Sequence, residues 1–416
     1  HYTYNFLNGG SGSNGSWMND GWEIIKASGC PTVETYGGMS NTANYWMSGY
    51  DEYISGTVNR VDEIFSINVG TQEGLETLKY WLYDHLDGSE TGSIVSFGAG
   101  ILNTGYNTSG DKVISWGYPV NHAMTIVGWD DNVEYDFNND GSITNDIDIN
   151  NDQIVDMRDW ERGAVIMVNS WGTSWMNGGK AYIMYKLLAE PADNGGIHSN
   201  KVYAITVKET QEAQLIMKVK MEHDLRNMIS IHAGISENLS ADNPEFTLDF
   251  PLFNRQGGEF DMRGSSELPI EFALDITPLL NYIESGTEAK FFLHVNEEDP
   301  FADGSGLIYD YSVEDAEGNE SICSDHNISV ANNSLTQLSL TKTVSFESPE
   351  ITTELIPEAE IGEYFSCQLQ AENGAEPYKW SFVIEYEEET LAETFPFVDS
   401  EQLNPNNDDD GYAVKS

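Results

Sequence analysis

A change of period constrains this fold more than any other feature. Up to residue 86 apolar residues recur at helical spacing, and beyond it they come in short runs of Val, Ile and aromatics that suit strands. Within 14–28, Trp17, Met18, Trp22, Ile24, Ile25 and Ala27 predict one amphipathic helix, stopped by Gly29. A second helix is expected after Thr71, whose hydroxyl can cap it, with Leu75, Leu78, Trp81, Leu82 and Leu86 on one stripe. The runs 93–97, 123–129, 164–169 and 181–185 read as strands of one mainly antiparallel sheet. Residues 1–207 thus predict helices first and sheet second, an α+β order. From residue 209 onward helical periodicity fades. Alternating segments at 215–221, 228–233, 290–295 and 338–344 predict an all-β sandwich or jelly roll over 208–345. Pro349 and Pro357 mark a linker into a third unit, 346–416.

The chain has 416 residues, enough for about two to four domains. Its 69 Asp and Glu against 19 Lys and Arg give a formal charge of -50, which repels polyanions and argues against a nucleic-acid partner. No apolar run reaches the about 18 to 20 residues a membrane span needs. Residue 1 has no signal-like stretch behind it, and the end, Asp408-Asp409-Asp410-Gly411, has no stop-like tail; both ends are expected to be fragment boundaries. Three cysteines, Cys30, Cys323 and Cys367, lie too far apart to spell a disulfide framework.

The chemistry is carried by two segments. Asn121-His122-Ala123-Met124-Thr125-Ile126-Val127-Gly128-Trp129 puts a His at the mouth of an apolar strand, and Val168-Asn169-Ser170-Trp171-Gly172-Thr173-Ser174-Trp175 puts an Asn at the end of another. A lone His is usually structural. Here, a His with an amide able to orient it is the base that a thiol nucleophile requires. The two segments resemble the His motif (NHAxxxVGW) and Asn motif (NSWGxxW) of papain-like cysteine peptidases, in the family's order. The resemblance implies a partial papain-like α+β domain over 1–207. It makes His122 the base that takes the thiol proton, Asn169 the group that holds its ring, and Trp171 the cover of that hydrogen bond at the substrate cleft. Upstream, Gly12-Ser13-Asn14-Gly15-Ser16 is similar to the family's GCNGG segment. On that match Gly15 and Ser16 line the non-primed cleft and Ala123 sits in the S2 pocket. Ser13 stands where the family has a disulfide-bonded Cys, and Ser16 where it has a Gly.

The family's reactive Cys precedes the GCNGG-like segment, so the resemblance implies that it lies upstream of residue 1. Cys30 is a poor substitute, since it follows Gly29 at the C-terminal end of a helix, where the dipole disfavours a thiolate. Cys323 and Cys367 have no base beside them. The chain as given is therefore expected to be inactive alone. In 346–416, segments 363–371 and 377–382 resemble the two leading strands of Ig-like modules of bacterial surface proteins.

The His and Asn motifs are separated by an acidic insertion over about 131–162. Asp136, Asn138, Asp140 and Ser142, then Asp148, Asn150, Asp152, Asp156 and Asp159, set oxygen ligands at the one, three, five spacing of an EF-hand-like loop, with Gly141 at position six of the first. The runs resemble dockerin and thrombospondin-type calcium repeats and predict structural Ca²⁺. Position twelve of the first run is Ile147, which leaves its closing ligand open between Asp146 and Asp148.

Together these features predict a secreted or cell-surface, bacterial-type cysteine peptidase acting on protein or peptide substrates through an acyl-thioester. The β modules are expected to engage a cell-surface or extracellular ligand. The alternative is a non-catalytic papain-like scaffold that serves in binding or adhesion.

Overall fold

In the computed structural model, the described residues are 2–9, 15–37, 45–86, 88–89, 91–210, 212–264, 267–301, 303–346, 350–353 and 369–372. The segments with Gly12, Ser13 and Asn14, with Cys367, and nearly all of the Ig-like stretch lie outside them.

Four helices lead: α1 (Tyr2–Leu7), α2 (Met18–Ser28), α3 (Val33–Tyr36) and α4 (Tyr50–Thr57). The helix α2 ends where expected. Gly29, at φ 74°, donates its N–H to the Ile25 carbonyl at 2.9 Å. A Cβ there would lie 2.0 Å from the Gly56 carbonyl oxygen, so only glycine fits both the left-handed backbone and the contact with α4.

The first strand, β1 (Val61–Asn68), precedes α5 (Gln72–Asp84). The Thr71 hydroxyl accepts from Gly74 N at 3.1 Å and so caps α5. Leu75, Leu78 and Trp81 are buried, whereas Leu86 lies past the helix end and is exposed. Then come β2 (Val95–Tyr106), β3 (Lys112–Glu134), β4 (Arg162–Val168), β5 (Lys180–Met184), the short helix α6 (Lys186–Ala189) and β6 (Lys201–Val207). The six strands form one sheet in the order β1-β6-β2-β3-β4-β5, with neighbours antiparallel. The start of β3 also pairs in parallel with β5, Lys112 opposite Tyr182, so the sheet curls back on itself. The helix α5 packs on it through Leu75, Leu78 and Trp81 against Val95, Phe97, Ile126 and Val165.

The strands that follow up to residue 344 are β7 (Leu215–His223), β8 (Ile229–Ser236), β9 (Phe246–Asp249), β10 (Ile270–Asp275), β11 (Thr287–Glu297), β12 (Gly306–Asp315), β13 (Glu320–Ile322), β14 (Ile328–Ser329) and β15 (Leu335–Val344). They make two antiparallel sheets, β10-β7-β12-β13 with β14 beside β12, and β15-β11-β8-β9. Alternation along β7 and β15 puts every second side chain inside. Buried residues of both sheets, such as Val219 and Phe272 with Ile231 and Phe291, belong to one core. The N-terminal helices feed that same core: Tyr2, Phe6, Ile24, Trp46 and Tyr53 pack with it, Phe6 stacking on Trp46 at 4.6 Å and meeting Phe253 edge-on. The buried guanidinium of Arg226 lies 4.3 Å over Trp46 and donates to the Gly257 carbonyl, which ties the helical segment to the sheet pair. Among the described residues no helix is long and apolar enough to cross a membrane.

Candidate active site

The residues of the two motifs meet through sheet register. In β3, His122 lies opposite Ala99 of β2, at the point where a bulge between Ala99 and Gly100 opens the pairing. Three residues on, Thr125 pairs with Val168, the last residue of β4, so the chain leaves β4 at Asn169 beside His122. Asn169 N then donates to the Gly179 carbonyl, and Gly172, at φ 80°, turns the chain. The result is a hydrogen bond of 3.0 Å between His122 Nε2 and Asn169 Oδ1. A carboxamide oxygen can only accept, so Nε2 carries the proton and the lone pair falls to Nδ1. Asn169 is 5 % exposed, and its Nδ2 has no hydrogen-bond partner among the described residues. That orphan amide is a cost borne at the site.

Trp171 lies against the imidazole at 5.2 Å between ring centroids with a 31° tilt, and Trp175 braces it edge-on at 5.8 Å. Trp171 is itself 46 % exposed, so it covers one face of the His122 ring and keeps its own outer face to solvent. Ala123 is exposed beside His122. Gly15 and Ser16 are exposed just before α2, and the adjoining Trp17 ring lies 5.3 Å from that of His198. A Cβ on Gly98 would touch both His198 Cβ (3.5 Å) and Val120 (3.3 Å), and Gly98 is paired with Ala123. The Gly15–Trp17 stretch and the His122 strand are thus linked through His198, a residue with no motif around it to single it out.

Neither described thiol joins them. Cys30 packs at the margin of the core shared by the helices and the sheet pair, and burial pushes its thiol up. Cys323 is 1 % exposed, donates to the Ser339 carbonyl at 3.3 Å, and is likewise raised by burial. A raised thiol is the opposite of an activated nucleophile.

The acidic insertion is wound as two loops with one pattern. In the first, Asp136 Oδ2 accepts from Gly141 N, Asn138 Oδ1 from Asp140 N, and Asp140 Oδ1 from Ser142 N, at 2.9, 3.0 and 2.7 Å. In the second, Asp148 Oδ2 accepts from Gln153 N, Asn150 Oδ1 from Asp152 N, and Asp152 Oδ1 from Ile154 N, at 2.9, 2.8 and 2.9 Å. Buried Asp159 gathers the N–H groups of Ile149 and Asn150, and buried Glu161 those of Phe137 and Asn138. Glu161 is therefore the counterpart of Asp159 in the first loop, a role the sequence left open between Asp146 and Asp148. It sits just before β4 at no local spacing that would mark it. Arg158 pairs with Asp152 at 2.6 Å and Asp156 at 2.7 Å, and it holds the Asp156 carboxyl below its ordinary value. Among the described residues no three His, Cys, Asp or Glu side chains converge as metal ligands would.

No family model and no curated protein matches the sequence. Solved structures similar to it include a mite allergen from a study of Blo t 1 and Der p 1, at 17% identity and TM-score 0.26, covering 46% of this chain and 48% of that one. A clostridial cysteine protease, Cwp84 after propeptide cleavage, is similar at 13% identity and TM-score 0.32, over 82% of this chain and 85% of that one. The cysteine protease and lectin-like domains of Cwp84, a surface layer associated protein of Clostridium difficile, are similar at 14% identity and TM-score 0.26, over 69% and 64%. The chain thus spans about half the length of the mite allergen chain it matches.

Proposed function

We propose that this chain is part of a papain-like cysteine peptidase that cleaves peptide bonds in protein or peptide substrates. The observation that carries the reading is the His122 Nε2 to Asn169 Oδ1 hydrogen bond under Trp171, built from two motifs that the sequence holds far apart. With Nε2 so engaged, Nδ1 is the atom that would take a thiol proton and later return it to the leaving amine. The thiolate would attack the scissile carbonyl, expel the amine as an acyl-thioester forms, and water would release the acid. Cys30 and Cys323 are raised by burial and do not suit the nucleophile. The reading therefore assigns the thiol to a segment joined upstream of His1. On it the protein works outside the cell, secreted or surface-attached, and the sheet pair engages an extracellular ligand.

The test joins the chain to its natural upstream segment and assays a quenched fluorescent casein. Hydrolysis by the joined protein, abolished by His122→Ala and absent from the chain alone, is expected. Hydrolysis by the chain alone that Cys30→Ala destroys would sink the assignment.

The insertion is read as a structural Ca²⁺ site. Its donors, Asp136, Asn138, Asp140 and Ser142 in one loop and Asp148, Asn150, Asp152, Asp156 and Asp159 in the other, are hard oxygens in matched turns, which suits a hard cation. A bound ion would neutralise carboxylates that otherwise repel between the strands carrying His122 and Asn169.

A further inference from the structure

Along β15 every second side chain is buried between the sheets, and the inward series Leu338, Leu340, Lys342 and Val344 includes a lysine. Its neighbour across the β11 ladder is the buried Ala289. Lys342 Nζ reaches the other sheet, where Asp315, the last residue of β12, receives it at 2.9 Å, and the two side chains are only 4 and 8 % exposed. Asp315 Oδ1 accepts from Asn319 N at 2.8 Å and so closes the turn into β13. The Asn319 carboxamide lies on the same carboxylate, with Nδ2 at 3.1 Å from Oδ1 and 3.3 Å from Oδ2. Lys342 Nζ also donates to the main-chain carbonyl of Asn319 at 2.7 Å. One oxygen, Asp315 Oδ2, thus meets both an amine and a carboxamide, and the amine is bonded to the residue that bears the carboxamide.

We infer that Lys342 and Asn319 become joined by a side-chain amide bond that the chain makes by itself, with Asp315 carrying the proton, and that this bond ties the two sheets together. Burial disfavours both charges of the pair, so the Lys342 ammonium can pass a proton to Asp315 and leave a neutral amine. Held beside its target, that amine attacks Asn319 Cγ. The Nζ–Cγ bond forms and the Cγ–Nδ2 bond breaks. Asp315 gives its proton to Nδ2, ammonia leaves, and the proton that Nζ sheds on acylation goes with it as ammonium. An ammonium and a carboxamide have become an amide and an ammonium ion, Asp315 is again a carboxylate, and no oxidant or reductant is needed. Asn319 is exposed, which gives the leaving group a way to solvent. Against the cost of burial, Lys342 holds the Asp315 carboxyl below its ordinary value, so the neutral pair is a minor form and the bond forms slowly, once per chain. Glu190 and Asp111 also hold one lysine and one asparagine each, Lys186 with Asn194 and Lys112 with Asn107. In both, amine and amide sit on opposite oxygens and the lysine is less buried, so these trios should stay unlinked.

The test is intact-mass spectrometry of the full chain, purified, incubated in its folded state and then denatured. Wild type should be lighter than its sequence by one ammonia. Digestion after Glu residues should release Gly318-Asn319-Glu320 as a branch, joined through Asn319 to Lys342 in the peptide 321–347. Lys342→Arg keeps a cation at Asp315 and should show the full sequence mass. Asp315→Asn keeps an oxygen for the Asn319 N–H groups but cannot carry the proton, and should stay unlinked while circular dichroism reports an unchanged fold. A folded wild type that holds its full mass after incubation overturns the inference. So does an ammonia loss that survives Lys342→Arg, which would be an asparagine cyclising on its own backbone, or a branch that maps to Lys186 with Asn194 or to Lys112 with Asn107. A branch formed as fast in Asp315→Asn as in wild type would remove Asp315 from the reaction. The peptidase reading plays no part in this argument, and neither result bears on it.

Discussion

His122 Nε2 and Asn169 Oδ1 lie 3.0 Å apart across the β3–β4 register, with the Trp171 ring against the imidazole, so the tautomer of His122 is set by an uncharged partner. An amide orients but does not supply an ionic partner to an imidazolium. In the joined protein, steady-state kinetics should therefore rank the variants. His122→Ala is expected to lower kcat by roughly a thousandfold or more, and Asn169→Ala by a smaller factor. Trp171→Ala, which opens one face of the pair to water, should cost less again. Equal losses for His122→Ala and Asn169→Ala would argue that Asn169 does more than hold the ring.

The insertion predicts a metal-dependent melt. Binding only the folded state, Ca²⁺ at about 100 times its Kd adds roughly 2.7 kcal/mol per site, and chelation should lower the melting temperature of the chain by several degrees. Asp148→Ala and Asp136→Ala should each remove part of that response. Glu161→Gln keeps one oxygen for the N–H groups of Phe137 and Asn138, loses the acceptor for Thr144 N–H, and should weaken the response without abolishing the fold. A melt indifferent to chelator would leave the two loops as hydrogen-bonded turns.

Arg226 offers a stability test of the join between helices and sheet pair. Burial pushes its guanidinium down to about 10, and it is retained by the Trp46 face and the Gly257 carbonyl. Arg226→Ala should destabilise by roughly 3 kcal/mol, the sum expected of a desolvated cation–π contact and a charged hydrogen bond. Arg226→Lys should rescue little, because an ammonium cannot stack and fork at once. Urea denaturation followed by tryptophan fluorescence would measure both.

Asp111 supplies a pH test. Hydrogen bonds from the Ser109 hydroxyl and the Asn107 amide lower its carboxyl to about 2 in the turn between β2 and β3. A depressed acid contributes stability that is fully present above its unfolded pKa, about 4, and is lost as pH falls from there through about 2. Wild type should lose more stability than Asp111→Asn between pH 5 and 2, to a modest extent because the side chain is 32% exposed. Parallel pH profiles for the two would count against this turn.

Much of the local structure was legible in the residues. Thr71 caps α5 and Gly29 ends α2 because a cap needs only the backbone beside it. The strands β2, β4 and β5 start within a few residues of their apolar runs, but β3 begins well before its run, at Lys112, and β2 continues well past its own, where Gly100 pairs with Gly117 and Gly105 with Ser115 across the sheet. The strand β1 leaves no clear period in the sequence, because Val61-Asp62-Glu63-Ile64 breaks alternation at a bulge against β6. Trp17, apolar and on the helical stripe, turned out exposed over a groove and not in a core.

The sequence by itself determined the ends of α2 and the cap of α5, the two motifs that bring His122 and Asn169 into play, and the spacing of the paired turns of the insertion, since each depends on residues close together in the chain. Tertiary structure decided the rest. That Tyr2, Phe6, Trp46 and Tyr53 share a core with strands beyond residue 215, that Glu161 answers to the first acidic loop, and that Gln256 faces Ser16 across a groove are matters of long-range packing. Burial and shape select such partners from distant parts of the chain, and no local period records the choice.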